Sequence, residues 1–350
     1  MSTQGTPPVR DDLIDIEGYV SPQLPAKHRM NTNESPFPPP AALIEEVGGM
    51  LQSLELNRYP ERDAGALYAA LESVTGHQRE RLWIANGSNE VLLHLLLAFG
   101  GHGRVALTFE PTYQLHSLIS RISGTQVRHA ARRVGSWEVG ADDARTDADI
   151  VFFCHPNNPT GALEDASSIE AAAQRVPLVI VDEAYIEFAG PGSSVAGLVE
   201  QHRNLVVVRT FSKAWSLAGV RLGYLVASPG LVADLKKVRL PYHLSSFAQA
   251  AGVAALRHRD ESTRAVEKIV ASREALQEGL KAMGVKTYDS SANFVLFEVP
   301  DAQRVWQALY DRGILVRNYP SNPMLADHLR VTATTPDEGE AFLTALKELM

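Results

Sequence analysis

Val206-Val207-Val208-Arg209-Thr210-Phe211-Ser212-Lys213-Ala214-Trp215-Ser216-Leu217-Ala218-Gly219-Val220-Arg221-Leu222-Gly223-Tyr224 joins a β-branched run to two hydroxyl residues, a lysine and an arginine. Consecutive valines pack well on both faces of a pleated sheet, so the run reads as a buried strand. In α/β folds ligands bind outside the carboxyl ends of the strands, and Lys213 stands just past this one. A half-buried amine there loses stabilisation of its charge. Its pKa falls and it becomes a better nucleophile toward a carbonyl. Thr210, Ser212 and Arg221 have the chemistry to hold a dianionic phosphate beside it. The same residues also suit a plain surface loop with a solvated lysine, and this stretch alone does not choose.

Working outward toward the N-terminus, other short apolar runs end in polar clusters. Leu178 to Val181 leads into Asp182-Glu183-Ala184-Tyr185. A carboxylate just past a dry strand is costly unless a cation pairs with it, and a protonated pyridine nitrogen is such a cation. An exposed turn aspartate is the plainer account. Ile150 to Cys154 reads as a buried strand running into His155-Pro156-Asn157-Asn158-Pro159-Thr160-Gly161, which is nearly all turn chemistry. His155 beside Cys154 lacks further ligands at suitable spacing, so no metal site is expected. Arg104 to Thr108 is a strand ending in Glu110-Pro111-Thr112-Tyr113, with Tyr113 opening a helix. An aromatic there can stack on a cofactor ring or simply join the core. Trp83 to Ala85 leads through Asn86-Gly87-Ser88-Asn89-Glu90 into an apolar helix, Val91 to Phe99. Such a turn offers backbone N–H groups and the positive end of the helix dipole to a phosphate, although a plain Ser or Asn cap is the simpler account of its spacing.

The alternation of short strands and helical patterns from Trp83 to Ala227 predicts an α/β fold with a mostly parallel sheet. Residues 1–11 are polar and terminal and are expected to be disordered, and 12–30 read as an arm. The proline-rich connector 36–40 enters a helix, Ala41 to Leu54. Asn57 to Asp63 is a polar loop, with Asp63 expected to cap a helix from Ala64 to Thr75 that Gly76 ends. After Pro229 the pattern becomes α+β. Helices are expected at 231–238, 247–258, 263–283, 302–312 and 336–349, and strands at 294–297, 314–317 and 329–332. The expected division is an arm over 1–40 that joins the small domain, a large domain over 41–235 and a small domain over 236–350.

The chain has 350 residues, 45% hydrophobic and 21% charged, which is ordinary for a soluble enzyme of two or three domains. A formal charge of −8 argues against a nucleic-acid surface. One cysteine, Cys154, excludes an intrachain disulfide and fits a reducing compartment. Residues 1–10 lack the apolar core of a secretory signal, and no apolar run is long enough to span a bilayer. A cytoplasmic location and no membrane partner are expected.

A carbonyl-reactive amine beside a phosphate clamp suggests pyridoxal 5′-phosphate. Taken together, Asn158-Pro159-Thr160-Gly161, Asp182-Glu183-Ala184-Tyr185 and Ser212-Lys213 with Arg221 resemble the fold-type I aminotransferases that use this cofactor. The segments 31–36, 57–63, 85–90 and 239–246 resemble the histidinol-phosphate aminotransferases in particular. The likeness runs from about Asn31 to the C-terminus. It implies a large domain with a mostly parallel sheet flanked by helices, plus a smaller α+β domain.

It also implies roles. Lys213 would bind the cofactor's aldehyde and later move the proton. Asp182 would hold the pyridinium proton, and Asn158 and Tyr185 would hydrogen-bond the phenolic oxygen. Tyr113 would stack on the ring. Ser88, Asn89, Thr210, Ser212 and Arg221 would bind the phosphate, and Tyr59 would reach it from the neighbouring subunit of a homodimer. Arg330 would grip a substrate carboxylate, since its planar fork binds oxyanions bidentately, with Arg317 and Asn33 as helpers. The implied reaction is a ping-pong transfer from L-histidinol phosphate to 2-oxoglutarate, giving imidazole acetol phosphate and glutamate.

His155 and Trp215 depart from the family pattern of a smaller polar residue and a phenylalanine, and the segment 318–328 is longer than usual. An aromatic amino-acid aminotransferase or a phosphothreonine-type decarboxylase would share most of these motifs. A dinucleotide-binding dehydrogenase lacks its G-x-G-x-x-G here, and a serine hydrolase its G-x-S-x-G. A pyridoxal-phosphate domain within a transcriptional regulator would need an added basic segment, for which no room is expected.

Overall fold

Alternate residues of the apolar strands face opposite ways, and two helical layers cover the two faces. In the computed structural model, which describes residues 7–18 and 23–350, the strands in chain order are β1 (His28–Arg29), β2 (Leu82–Ala85), β3 (Val105–Glu110), β4 (Gln126–Ala131), β5 (Ile150–Cys154), β6 (Leu178–Asp182), β7 (Leu205–Thr210), β8 (Gly223–Val226), β9 (Lys286–Thr287), β10 (Phe294–Glu298), β11 (Ile314–Leu315), β12 (Arg317–Asn318) and β13 (His328–Thr332). The helices are α1 (Ala41–Gln52), α2 (Gly65–Thr75), α3 (Ser88–Phe99), α4 (Leu115–Ile122), α5 (Ala141–Ala144), α6 (Ala166–Ala173), α7 (Pro229–Leu235), α8 (Ser246–Arg257), α9 (Arg259–Ala282), α10 (Ala302–Asp311) and α11 (Pro336–Leu349). The expectation for the N-terminal residues lies outside the described residues over 1–6, as does the arm over 19–22. Asp11–Leu13 form a single 3₁₀ turn.

The main sheet has the order β2-β8-β7-β6-β5-β3-β4. β8 runs antiparallel to both its neighbours, β2 and β7; β7, β6, β5, β3 and β4 are mutually parallel. Period-2 packing is visible along its centre. Val151, Phe153, Val179, Val181 and Val207 enter one core, while Ile150, Phe152, Ile180, Val206 and Val208 enter the core on the other face. A third core lies under the antiparallel sheet β12-β13-β10-β9 and takes in Ile269, Leu276, Phe294, Phe297, Leu309 and Phe342. The arm is stitched to this part of the molecule. Its β1 pairs in parallel with β11, and Met30 buries in the third core.

Several local expectations are corrected. Asp63 does not cap α2: Ala64 holds the cap position with φ of 43°, and Glu61 Oε1 accepts the Gly65 N–H at 2.9 Å. The helix after Tyr113 starts at Leu115. The run 314–317 is not one strand. It splits between β11 and β12, which belong to different sheets. Edge strand β4 went unseen because Gln126, Arg128 and His129 dilute its β-formers, as polar edges do. Helix α8 packs on α1 and α2 and supplies Ala251, Ala254 and Leu256 to the first core. Its Gly252 makes this close approach possible, since an added Cβ would come within 2.5 Å of Leu222 and 2.8 Å of Leu67. The change of core falls between α8 and α9. Among the described residues no helix is long and apolar enough to cross a membrane.

Candidate active site

The carboxyl ends of β5, β6 and β7, the first turn of α3 and the strand β13 converge on a cavity of about 400 Å³. That size suits a bound small molecule. Fourteen of the candidate residues were named from sequence; all except Tyr59 line it.

Lys213 stands three residues beyond β7, half-buried, and its Nζ donates to the Thr32 carbonyl at 3.0 Å. Burial, then the charge of Arg330, and after it Arg221, push its pKa down to about 8, against the opposing pull of Glu34 and Asp182. A lysine so placed is not a solvated surface group.

Asp182 closes β6 and is 2% exposed, so it is no surface turn residue. Its Oδ1 accepts the Ala184 N–H at 3.1 Å and its Oδ2 lies 3.0 Å from His116 Nε2. An ionised carboxylate only accepts, so His116 donates from Nε2. His116 is fully buried and stacks on Phe152 with centroids 4.8 Å apart. The sequence reading missed this histidine. Its one local signal is the spacing of three from Tyr113, whose ring meets it edge-on at 5.4 Å. Tyr113 also reaches Asn89 Oδ1 at 3.5 Å.

Ser88 and Asn89 do not cap α3. Gly87 occupies the cap with φ of 83°, no side chain caps the turn, and Glu90 instead ties Asn86 through its backbone and side-chain nitrogens at 2.6 and 2.8 Å. An added Cβ on Gly87 would sit 2.6 Å from Arg221 Nη2, so the turn and the arginine share one space only because the residue is glycine. Arg221 Nη1 donates to the Ala218 carbonyl at 3.1 Å and lies 3.4 Å from Ser212 Oγ, which accepts from Thr210 Oγ1 at 3.0 Å. An uncapped helix start, two hydroxyls and a guanidinium thus face one corner.

At the other side, Arg330 is 6% exposed and lies over the Phe294 ring at 5.0 Å. It donates to Asn158 Oδ1 at 2.5 Å and to the Asn31 carbonyl at 2.6 Å. Tyr185 is buried, which holds its phenol well above the ordinary range, and its oxygen receives Asn33 Nδ2 at 3.1 Å and Asn158 Nδ2 at 3.5 Å. Asn33 is thereby engaged with Tyr185. Arg317 lines the mouth with Tyr319 and Asn322, from the segment marked as long.

Tyr59 lies outside the cavity of its own chain, 80% exposed and stacked on Tyr242 at 4.5 Å. His155 has both ring nitrogens engaged: Nδ1 accepts the Glu164 N–H at 2.9 Å, so Nε2 donates to the Ser193 carbonyl at 2.8 Å. Trp215 packs on Phe211 with centroids 5.2 Å apart.

The donor set fits pyridoxal 5′-phosphate. Lys213 would supply the amine for its aldehyde, buried Asp182 the counter-charge for its ring nitrogen, and the Ser88–Ser212–Arg221 corner the donors for its phosphate.

Residues 26–346 match the family described as aminotransferase class I and II. The histidinol-phosphate aminotransferase of Thermobifida fusca is 44% identical over 97% of this chain and 94% of its own length. That of Frankia casuarinae is 45% identical over 97% of this chain and 89% of its own. Among solved structures, the histidinol-phosphate aminotransferase of Sinorhizobium meliloti in complex with pyridoxal-5′-phosphate superposes with a TM-score of 0.89 at 23% identity, covering 99% of each chain. That of Clostridium acetobutylicum gives 0.84 at 21% identity, covering 92% of this chain and 98% of that one. With the lysine, carboxylate and anion corner gathered on this fold, the chain belongs to the class I and II aminotransferases, in the branch of the histidinol-phosphate aminotransferases.

Proposed function

We propose that this chain is a pyridoxal 5′-phosphate enzyme that transfers the amino group of L-histidinol phosphate to 2-oxoglutarate, giving imidazole acetol phosphate and glutamate in histidine biosynthesis. The observation that carries the reading is one cavity holding a lysine with a depressed pKa, a buried carboxylate and two separately anchored arginines. Relatives at 41–45% identity carry the histidinol-phosphate name, which favours this donor over an aromatic amino acid or a decarboxylated phosphothreonine.

When bound, pyridoxal 5′-phosphate supplies the aldehyde that takes up the amino group and the ring that accommodates the electron pair released at the substrate α-carbon. The chain's residues do the rest. Lys213 Nζ would hold that aldehyde in the resting enzyme and, once substrate has taken its place, would take the α-proton as a base and deliver it as an acid to the carbon that carried the aldehyde. A pKa near 8 leaves the amine able to do both near neutral pH. Asp182 keeps a proton on the ring nitrogen, and His116 holds Asp182 in place. Asn158 and Tyr185 bind the phenolic oxygen, while Tyr113 packs on the ring. Ser88, Asn89, Thr210, Ser212 and Arg221 hold the cofactor phosphate. Arg330 binds the carboxylate of 2-oxoglutarate and the phosphate of the donor in turn, with Arg317 at the mouth.

We further infer a homodimer in which Tyr59 reaches the phosphate of the partner's site. Its exposure beside Tyr242, with Leu240 at 73% exposed, supports this reading. Polar substrates and a single, buried cysteine fit a cytoplasmic enzyme.

The test is the absorbance spectrum of the purified protein with L-histidinol phosphate alone. The visible band should convert to that of the aminated cofactor and return on adding 2-oxoglutarate. A band that ignores this donor and responds to phenylalanine would move the function to a sister aminotransferase.

A further inference from the structure

The Tyr185 hydroxyl lies between two side-chain amides, those of Asn33 and Asn158. The end that each amide turns toward it decides where its own proton can go. An amide oxygen facing Tyr185 would take that proton, whereas two NH₂ groups leave it to the cavity.

Arg330 settles the orientation of Asn158. A guanidinium only donates, so the Asn158 atom 2.5 Å from Arg330 Nη1 is Oδ1, and the NH₂ end turns to Tyr185. Thr332 settles Asn33. The Asn33 backbone N–H donates to Thr332 Oγ1 at 3.1 Å, filling one of its two acceptor sites. The hydroxyl gives its one proton to Asn33 Oδ1 at 3.0 Å, which leaves the Asn33 NH₂ for Tyr185. Asn33 meets both partners from a left-handed backbone with φ of 55°, which asparagine tolerates better than most residues. Asn293 Nδ2 anchors its carbonyl at 3.1 Å. Thr332 is 1% exposed and does not line the cavity. It lies two residues after Arg330 on β13, so both project from the same face and one strand orients both amides.

We propose that Thr332 is a positioning residue for the reaction: through Asn33 it commits the Tyr185 proton to the cavity, where the phenolic oxygen of the cofactor receives it. The inference rests on the cofactor reading above. Without the Thr332 hydroxyl the Asn33 amide is free to turn over. Its Oδ1 then accepts the Tyr185 proton, and the phenolic oxygen loses a donor.

The experiment is a pH titration of the visible absorbance of the holoenzyme. A hydrogen bond to the phenolic oxygen reduces the negative charge it presents to the protonated nitrogen beside it, so losing the bond raises the titration midpoint. Thr332→Val, close in shape but without the hydroxyl, should raise it by about 0.5–1 unit, the size one hydrogen bond supports. Thr332→Ser should return it to the wild-type value. Tyr185→Phe should raise it too, and adding Thr332→Val to Tyr185→Phe should change nothing more. Should Thr332→Val not fold, Thr332→Ala, which also lacks the hydroxyl, carries the same expectation. An unmoved midpoint, or an equal further shift on top of Tyr185→Phe, overturns the positioning role while the wild-type titration stands. A wild-type protein with no visible band overturns the cofactor reading as well.

Discussion

Arg330 and Asn158, separated by 172 residues in the chain, meet at 2.5 Å in a buried contact that joins the antiparallel sheet to the loop after β5. The arginine therefore serves two parts of the site at once, orienting an amide on the cofactor side and presenting its charge to the cavity. Lysine keeps the charge and loses the fork. Arg330→Lys should cost about 1.5–3 kcal/mol of substrate binding, about 10- to 150-fold in kcat/KM for both half-reactions. Stopped-flow measurement of each half-reaction checks this, and an effect confined to one substrate would contradict a shared anion site.

Lys213 lends itself to a stability test in the cofactor-free protein. Its folded pKa of about 8 lies below the ordinary lysine value of 10.5. Between these values the unfolded chain binds more protons than the folded one, so stability rises with pH there. Below pH 8 the penalty for charging the buried amine is present in full. Lys213→Met should remove it and raise stability at pH 7 by about 1–3 kcal/mol, with the gain fading toward pH 10.5. Urea unfolding at pH 7 and pH 10 gives the comparison. The same variant should have no transaminase turnover and no visible band.

His116 is tied to function through the hydrogen bond it gives Asp182. His116→Phe keeps a ring to stack on Phe152 and removes the donor to Oδ2. Turnover should fall about 10- to 100-fold, as expected when a buried charge loses a hydrogen bond, and Asp182→Asn should fall further. Unchanged kcat in His116→Phe would show that Ala184 alone suffices to hold the carboxylate.

Tyr59 separates a shared site from a self-contained one. Tyr59→Phe should weaken cofactor retention by about 5- to 10-fold, the worth of one hydrogen bond. Dimers mixed from Tyr59→Ala and Lys213→Ala chains contain one site with both residues intact. At limiting cofactor they should be more active than either parent, and failure to do so would place Tyr59 outside the site.

Much of the chemistry was legible because it is local. The valine run 206–208 and the apolar runs at β5 and β6 announce buried strands by composition, and the reactive groups follow each strand within a few residues. Lys213, Asp182 and Arg221 therefore stood out as candidates, and the motifs' resemblance to the aminotransferases added Asn158 and chose among the readings. The boundary of the third core was less so. Whether α8 belongs to one core or another depends on which neighbour its glycine and alanines fit, and amphipathic spacing is the same in both cases.

Sequence alone determined the fold class, because strand-forming runs and the polar clusters at their ends are properties of adjacent residues, and its resemblance to the fold-type I aminotransferases supplied the cofactor and the roster of candidate site residues. Only the tertiary structure decided the partnerships. His116 finds Asp182 across 66 residues, and Thr332 orients Asn33 across 299. Such pairs leave no trace in local composition. A threonine in a buried strand or a histidine in a helix is ordinary by itself, and it acquires a role only when packing brings one particular acceptor within reach and excludes water from the rest.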